Sequence, residues 1–260
     1  MTRPALKTRR EIVQILLRHA RRLPDWARWT KTKKRLTLPA ANGVLLGLMW
    51  DRNMNADLAS DNSRQVLSLI DAPNDGSTFW EAVDRLEVKR LRNFLRYGNG
   101  GKSFHIYWNQ YAKQLKNAAR FMLETYDGDP RKIWNGQRDV DFVRKRLEEI
   151  PGIGKALASF GVHTLARSYG LLGGRKAKPQ LDVKTDVHVM RVFRRTGLAP
   201  ANADAEAVIQ AARELYPRHP AALDGPAWDI GRNWCHESSP ECSECILTEF
   251  CPHIGVSHRT

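Results

Sequence analysis

The stretch Leu147–Ala166, LEEIPGIGKALASFGVHTLA, decides how this chain is read. An apolar helix end meets Pro151-Gly152-Ile153-Gly154, and a second run with helical spacing begins at once. Gly152 and Gly154 allow a tight hairpin whose backbone N–H groups point outward at a helix start, a place suited to a phosphate oxygen. Lys155 adds a positive charge there. A plain connection between two packed helices has the same pattern, so the hairpin alone leaves both readings open.

Outward from the hairpin, the chain reads as helices. Ile12, Ile15, Leu16 and Leu23 form one apolar stripe with arginines on the other face, which predicts an amphipathic first helix. A basic link follows from Pro24 to Pro39. NGVLLGLMW (42–50) is apolar enough for a buried helix, and FWEAVDRLEVKRLRNFLRY (79–97) and YWNQYAKQLKNAARFMLETY (107–126) both show helical spacing around the loop GNGGKS. NADAEAVIQAARELY (202–216) places Val208, Ala212 and Leu215 on one face behind a capping Asp204. Strand signals are nearly absent, and the expected fold class is all-α.

Charge points to a partner. The chain carries 42 Lys and Arg against 28 Asp and Glu, a formal charge of +14 over 260 residues, which favours a polyanion. The excess is uneven: residues 1–35 hold twelve Lys and Arg against only Glu11 and Asp25. The N-terminus is too basic and broken for a signal peptide, and no run approaches the roughly 20 apolar residues that span a bilayer. A soluble, reducing compartment is expected, with no membrane partner.

Two more segments carry chemistry. In LDVKTDVHVMRVFRR (181–195), Asp186 stands just before a helical run with Val189, Val192 and Phe193 on one face, and capping that helix is a sufficient reason for an aspartate. All four cysteines lie in CHESSPECSECILTEFC: Cys235, Cys242, Cys245 and Cys251 are separated by six, two and five residues. Four thiolates in one loop suit iron–sulfur or zinc, and their number does not separate the two.

Hairpin, aspartate and cysteine loop in this order resemble the helix-hairpin-helix DNA glycosylases, in the branch of endonuclease III and the adenine glycosylases that carries an iron–sulfur loop. IPGIGKALA resembles that family's LPGVGRxTA, and TDVHVMRVFRR resembles its VDTHIxRVxNR. The cysteine spacing and the preceding WDIGRNWC are also similar, and the likeness runs from about residue 41 to the end.

The resemblance implies two helical lobes: a six-helix domain over 43–182 with the hairpin, and a second lobe of 1–42 with 183–260 holding a [4Fe-4S] cluster on the four cysteines. DNA is then expected across the cleft between them, and Asp186 becomes the catalytic aspartate, at a helix N-terminus that favours negative charge. Gly152, Gly154, Lys155, Lys184 and His188 are implied DNA contacts. Arg52 and Asn53, with Tyr97, Phe104 and His105, are candidates to fill the gap left by a flipped base. Trp50, Asp51 and Tyr107 are base-pocket candidates.

Departures from the family sharpen the reading. Where its bifunctional members carry a lysine that attacks the sugar, this chain has Ala156, and Lys155 lies one residue earlier, about 100° around the helix. The glutamate that adenine glycosylases use falls near Gly47 or Leu48. The basic loop LLGGRKAKPQ (171–180) is longer than in endonuclease III. The expected protein is a monofunctional glycosylase acting on a damaged or mispaired base, a monomer in the cytoplasm at the nucleoid. A bifunctional enzyme using Lys155 or Lys184, and a non-catalytic iron–sulfur DNA sensor, are the alternatives.

Overall fold

The computed structural model describes residues 5–24, 36–51, 56–70 and 79–256. Among them there is no strand, only an isolated bridge between Asn99 and Lys102. The chain divides into two compact units, residues 34–165 and residues 1–33 with 166–260. No helix is long and apolar enough to cross a membrane among the described residues.

The 34–165 unit is built around α2 (Leu38–Trp50) and α6 (Trp108–Tyr126). Thr37 caps α2 by accepting from the Ala40 N–H, with Pro39 in the first turn where its missing N–H costs nothing. The helix is apolar nearly all round and buries Leu45, Leu46, Leu48, Met49 and Trp50. It packs on α3 (Ala56–Leu69), while α4 (Phe79–Arg85) and α5 (Val88–Tyr97) pack on α6. Two polar ties fix this arrangement: Trp80 Nε1 donates to Asn42 Oδ1 at 2.9 Å, and Lys116 pairs with Asp84 at 3.0 Å. The two aromatic side chains Phe79 and Trp80 are fully buried, each contributing about 2–3 kcal/mol by removal from water. A short α7 (Arg131–Trp134) leads to α8 (Val140–Glu148), capped by Asp139, and then to α9 (Lys155–Tyr169). Gly161 lets α9 come close: a Cβ there would lie 2.9 Å from Leu147 and Leu48 methyls.

The other unit gathers α1 (Leu6–Ala20), α10 (Val187–Arg195), α11 (Ala205–Leu215) and α12 (Asp224–Asn233). Ile12, Val13, Leu16, Val189, Val192, Phe193, Val208, Ala212 and Ile230 share one core. The α10–α12 pair is close because residue 231 is glycine: a Cβ there would meet His188 at 2.8 Å. Asp182 and Arg213 form a bidentate pair at 2.7 and 2.8 Å, tying the segment before α10 to α11.

Some local expectations change. Residues 79–97 are not one helix, because Glu87 is extended (φ −65°, ψ 146°) and starts α5 afresh. Leu23 is buried, but in the turn after α1 rather than on its stripe. The units divide at 33/34 and 165/166 rather than near 42 and 182: Thr37 belongs with the helix it caps, and the 3-10 turn Gly174–Gln180 packs on the turn Pro220–Leu223.

Candidate active site and cysteine loop

The hairpin forms as its residue types require. Pro151 and Gly152 sit inside a turn closed by the Ile153 N–H donating to the Ile150 carbonyl at 2.9 Å. Gly152 has φ +97°, a conformation that favours glycine, and a Cβ there would press on Met49 at 3.3 Å. The Gly154 carbonyl accepts from the Ala158 N–H, so α9 begins there. The first amides of a helix lack carbonyls four residues back, and here they belong to a start where Gly154 and Lys155 are exposed. Ala156, half-buried, follows Lys155 in the same turn.

Asp186 is the N-cap of α10, with φ −82° and ψ 176°. Its Oδ1 accepts from the His188 N–H at 2.9 Å and the Val189 N–H at 3.0 Å, so one oxygen makes the cap and Oδ2 takes no part in it. Capping and catalysis are therefore compatible roles for one carboxylate. Its own N–H donates to the Lys184 carbonyl at 2.8 Å, a tight turn that places Lys184 beside it in sequence and in space. His188 is half-buried, with Nδ1 3.0 Å from Arg191 Nη2 and its ring edge-on to Trp228.

One residue near Asp186 had no warning in the sequence. Asp224, the first residue of α12, is buried. Burial first, and then the charge of Asp186, push its carboxyl up to about 7, while Lys184, through its charge and a backbone hydrogen bond, and Arg167 act in the opposite sense. Close by, burial and then Lys178 and Arg167 push His219 down to about 4.

The four cysteines are free thiols that line one cavity, together with Val192, Ile230, Leu247 and Arg195 among others. Burial pushes Cys251 up to about 11, with the neighbouring cysteines adding to it, and raises Cys242 and Cys245 as well. Metal binding to such thiols must displace their protons. Arginines of α10 clamp the loop. Arg195 donates to the His236 carbonyl at 2.5 Å and the Glu237 carbonyl at 2.7 Å, and its Nη1 lies 3.5 Å from Cys235 Sγ. Arg191 donates to the carbonyls of Cys235 at 2.5 Å and Gly231 at 2.8 Å. The helix that begins with Asp186 is thus fastened to the cysteine loop through its C-terminal half.

The other candidates separate. Arg52 and Asn53 lie outside the described residues. Trp50 is fully enclosed against Tyr111, 5.2 Å between rings, and Asp51 ends α2 half-buried. Tyr107 is half-buried, its N–H donating to His105 Nδ1 at 2.9 Å. Phe104 and His105, candidates to fill the gap left by a flipped base, are buried: Asn62 donates to the Phe104 carbonyl at 2.6 Å, and the Tyr111 ring lies tilted against His105 at 4.3 Å. What that loop does expose is Ile106, at 64%, and Tyr97, at 52%. An aliphatic residue set between aromatic anchors in a glycine-rich loop was the available signal for Ile106. On α1, Lys7, Arg10 and Arg18 line an open groove with Phe250, the described part of the basic arm; residues 1–4 and 25–35 lie outside it.

No family model matches the chain. Among curated proteins it is similar to endonuclease III of Synechocystis sp. (28% identical over 162 residues, 58% of this chain and 59% of that protein). It is also similar to endonuclease III of Bacillus subtilis (26% over 158 residues, 58% of each). The chain thus spans just under three-fifths of the length of these relatives. Among solved structures, a trapped covalent intermediate of an endonuclease III with DNA, in an estranged-adenine complex, shares the fold (TM-score 0.63, 15% identity, 94% of this chain and 96% of that one). So does a thermostable thymine-DNA glycosylase (TM-score 0.62, 18% identity, 95% and 96%). The chain is thus similar in sequence to endonuclease III over just under three-fifths of its length and shares its all-helical fold with endonuclease III and a thymine-DNA glycosylase.

Proposed function

We propose that this protein is a monomeric, cytoplasmic base-excision glycosylase that flips a damaged or mispaired base out of DNA and hydrolyses its N-glycosidic bond with water. The observation that carries the reading is Asp186: a carboxylate fixed by two backbone amides through Oδ1, with Oδ2 left for other work. As the bond to the base breaks, positive charge grows on the sugar, and a pre-positioned carboxylate stabilises it without reorganising. The amides at the start of α9, with Lys155, receive a phosphate. A base can be reached only once it has left the stack, and Ile106 and Tyr97, with Arg52 and Asn53, are suited to fill the gap. Arg10 and Arg18 on α1 add contacts to the DNA backbone that do not depend on sequence.

The cysteine loop suits a [4Fe-4S] cluster. All four thiols surround one cavity. A cubane takes one thiolate on each iron, which spreads its ligands; a tetrahedral zinc gathers them on one point. Cys235, Cys242, Cys245 and Cys251 would hold the cluster, and its contribution there is to fix the loop that Arg191 and Arg195 join to α10.

A lyase reading has one specific support, the position of Lys184 in the turn before Asp186. Both readings are tested by a panel of alkylated, deaminated and oxidised bases in single- and double-stranded DNA. The hydrolase leaves an intact strand that breaks only after alkali. An adduct trapped by borohydride and lost in Lys184→Ala or Lys155→Ala shows an amine nucleophile instead, and binding without release of any base leaves a sensor.

A further inference from the structure

Asp224 and Asp186 begin two helices that pack on each other, α12 and α10. The two carboxyl groups act on one another electrostatically, and the link between them is also mechanical. The Asp224 carboxyl takes a hydrogen bond from the Lys184 backbone. The Lys184 carbonyl takes one from the Asp186 N–H at 2.8 Å. Leu181, Asp182 and Val183 are buried, so the segment that delivers this turn has little room to shift. Asp224 itself is 9% exposed, too enclosed to meet a sugar or a base.

We propose that Asp224 is a positioning residue for Asp186: it pins the Lys184 turn that sets the Asp186 backbone, and its negative charge reinforces that of Asp186 where positive charge develops on the sugar. The proposal deepens the glycosylase reading and rests on it. The charged groups that act on Asp224 are Asp186 and Lys184 from the turn and cap before α10, and Arg167 from the end of α9. With its carboxyl pushed up to about 7, Asp224 changes charge across neutral pH. A second buried anion near a developing cation lowers the barrier, so base release rises as Asp224 ionises. Asparagine keeps the shape and an acceptor for the Lys184 N–H but carries no charge.

The test uses the metal-loaded, full-length protein and two readouts. The amide signals of His188 and Val189, the cap donors to Asp186, are followed by NMR against pH, and single-turnover base release is followed over about pH 6 to 8. In the wild type the amides titrate near neutrality and release rises on the order of tenfold. In Asp224→Asn both changes vanish, while Asp224→Ala, lacking the acceptor too, is slower at every pH. Identical amide and rate profiles in wild type and Asp224→Asn overturn the proposal, as does an amide titration with no counterpart in the rate. Should Asp224→Asn fail to fold, wild-type amides without an inflection near neutrality overturn it by themselves. If no base is released from any substrate, the glycosylase reading fails, and with it the catalytic part of the proposal, while the amides still decide the coupling.

Discussion

Asp224→Asn changes the stability of the protein by an amount that depends on pH, and its sign follows from linkage. The carboxyl moves from its ordinary value of 3.8 to about 7 on folding, chiefly because burial disfavours its charge. A carboxyl with a raised folded value costs nothing below its unfolded value. The cost then grows as pH rises and is complete above the folded value. At about 1.4 kcal/mol per pH unit, a rise of roughly three costs the wild type about 4 kcal/mol at pH 8 and about 1.5 kcal/mol at pH 5. Asparagine carries no such cost. Relative to wild type, Asp224→Asn therefore gains about 2.5 kcal/mol between pH 5 and pH 8, whatever fixed loss comes from its altered interactions with Arg167 and Lys184. For a chain of this size that is a relative rise in Tm of about 5 °C, read by calorimetry or circular dichroism without DNA. A difference in Tm that stays level across that range refutes the reasoning.

Three further outcomes follow from separate parts of the molecule. Gly161→Val forces a side chain into the space where a Cβ would already lie 2.9 Å from Leu147 and Leu48, so the gain of about 0.4 kcal/mol in helix propensity is outweighed by overpacking and stability falls by roughly 2 kcal/mol net. Replacing Lys7, Arg10 and Arg18 by Gln weakens binding to all DNA alike and reduces the slope of log affinity against log salt by up to about 0.9 for each phosphate no longer neutralised, whereas an unchanged slope assigns that groove to solvent. Arg195→Ala removes the donor to the His236 and Glu237 carbonyls and lies 3.5 Å from Cys235 Sγ, so the iron content and the broad absorption near 400 nm fall faster under chelator than in wild type; colourless, zinc-loaded protein contradicts the cluster assignment.

What was legible in the sequence is what short-range chemistry decides. Pro151 and Gly152 specify a tight turn by themselves, and Asp186 before Val189, Val192 and Phe193 specifies a cap; the structure has both. The cysteine spacing brought four thiols to one cavity through a loop of only seventeen residues. Long-range packing was not legible. Asp224 reads as an ordinary helix-start aspartate, and nothing local says that it will be buried beside Lys184, Asp186 and Arg167. Phe104 and His105 look like loop residues until Asn62 and Tyr111 arrive from other helices. Arg191 and Arg195 read as a basic helix face, yet their partners are carbonyls some forty residues away.

The central claim is that Asp186 drives hydrolytic base release, and the most direct measurement is single-turnover release of free base by wild type and Asp186→Asn on the best substrate from the lesion panel. The account predicts a loss on the order of a thousandfold in Asp186→Asn, with DNA affinity within a few-fold of wild type and product strands intact before alkali. Full-rate release by Asp186→Asn contradicts it.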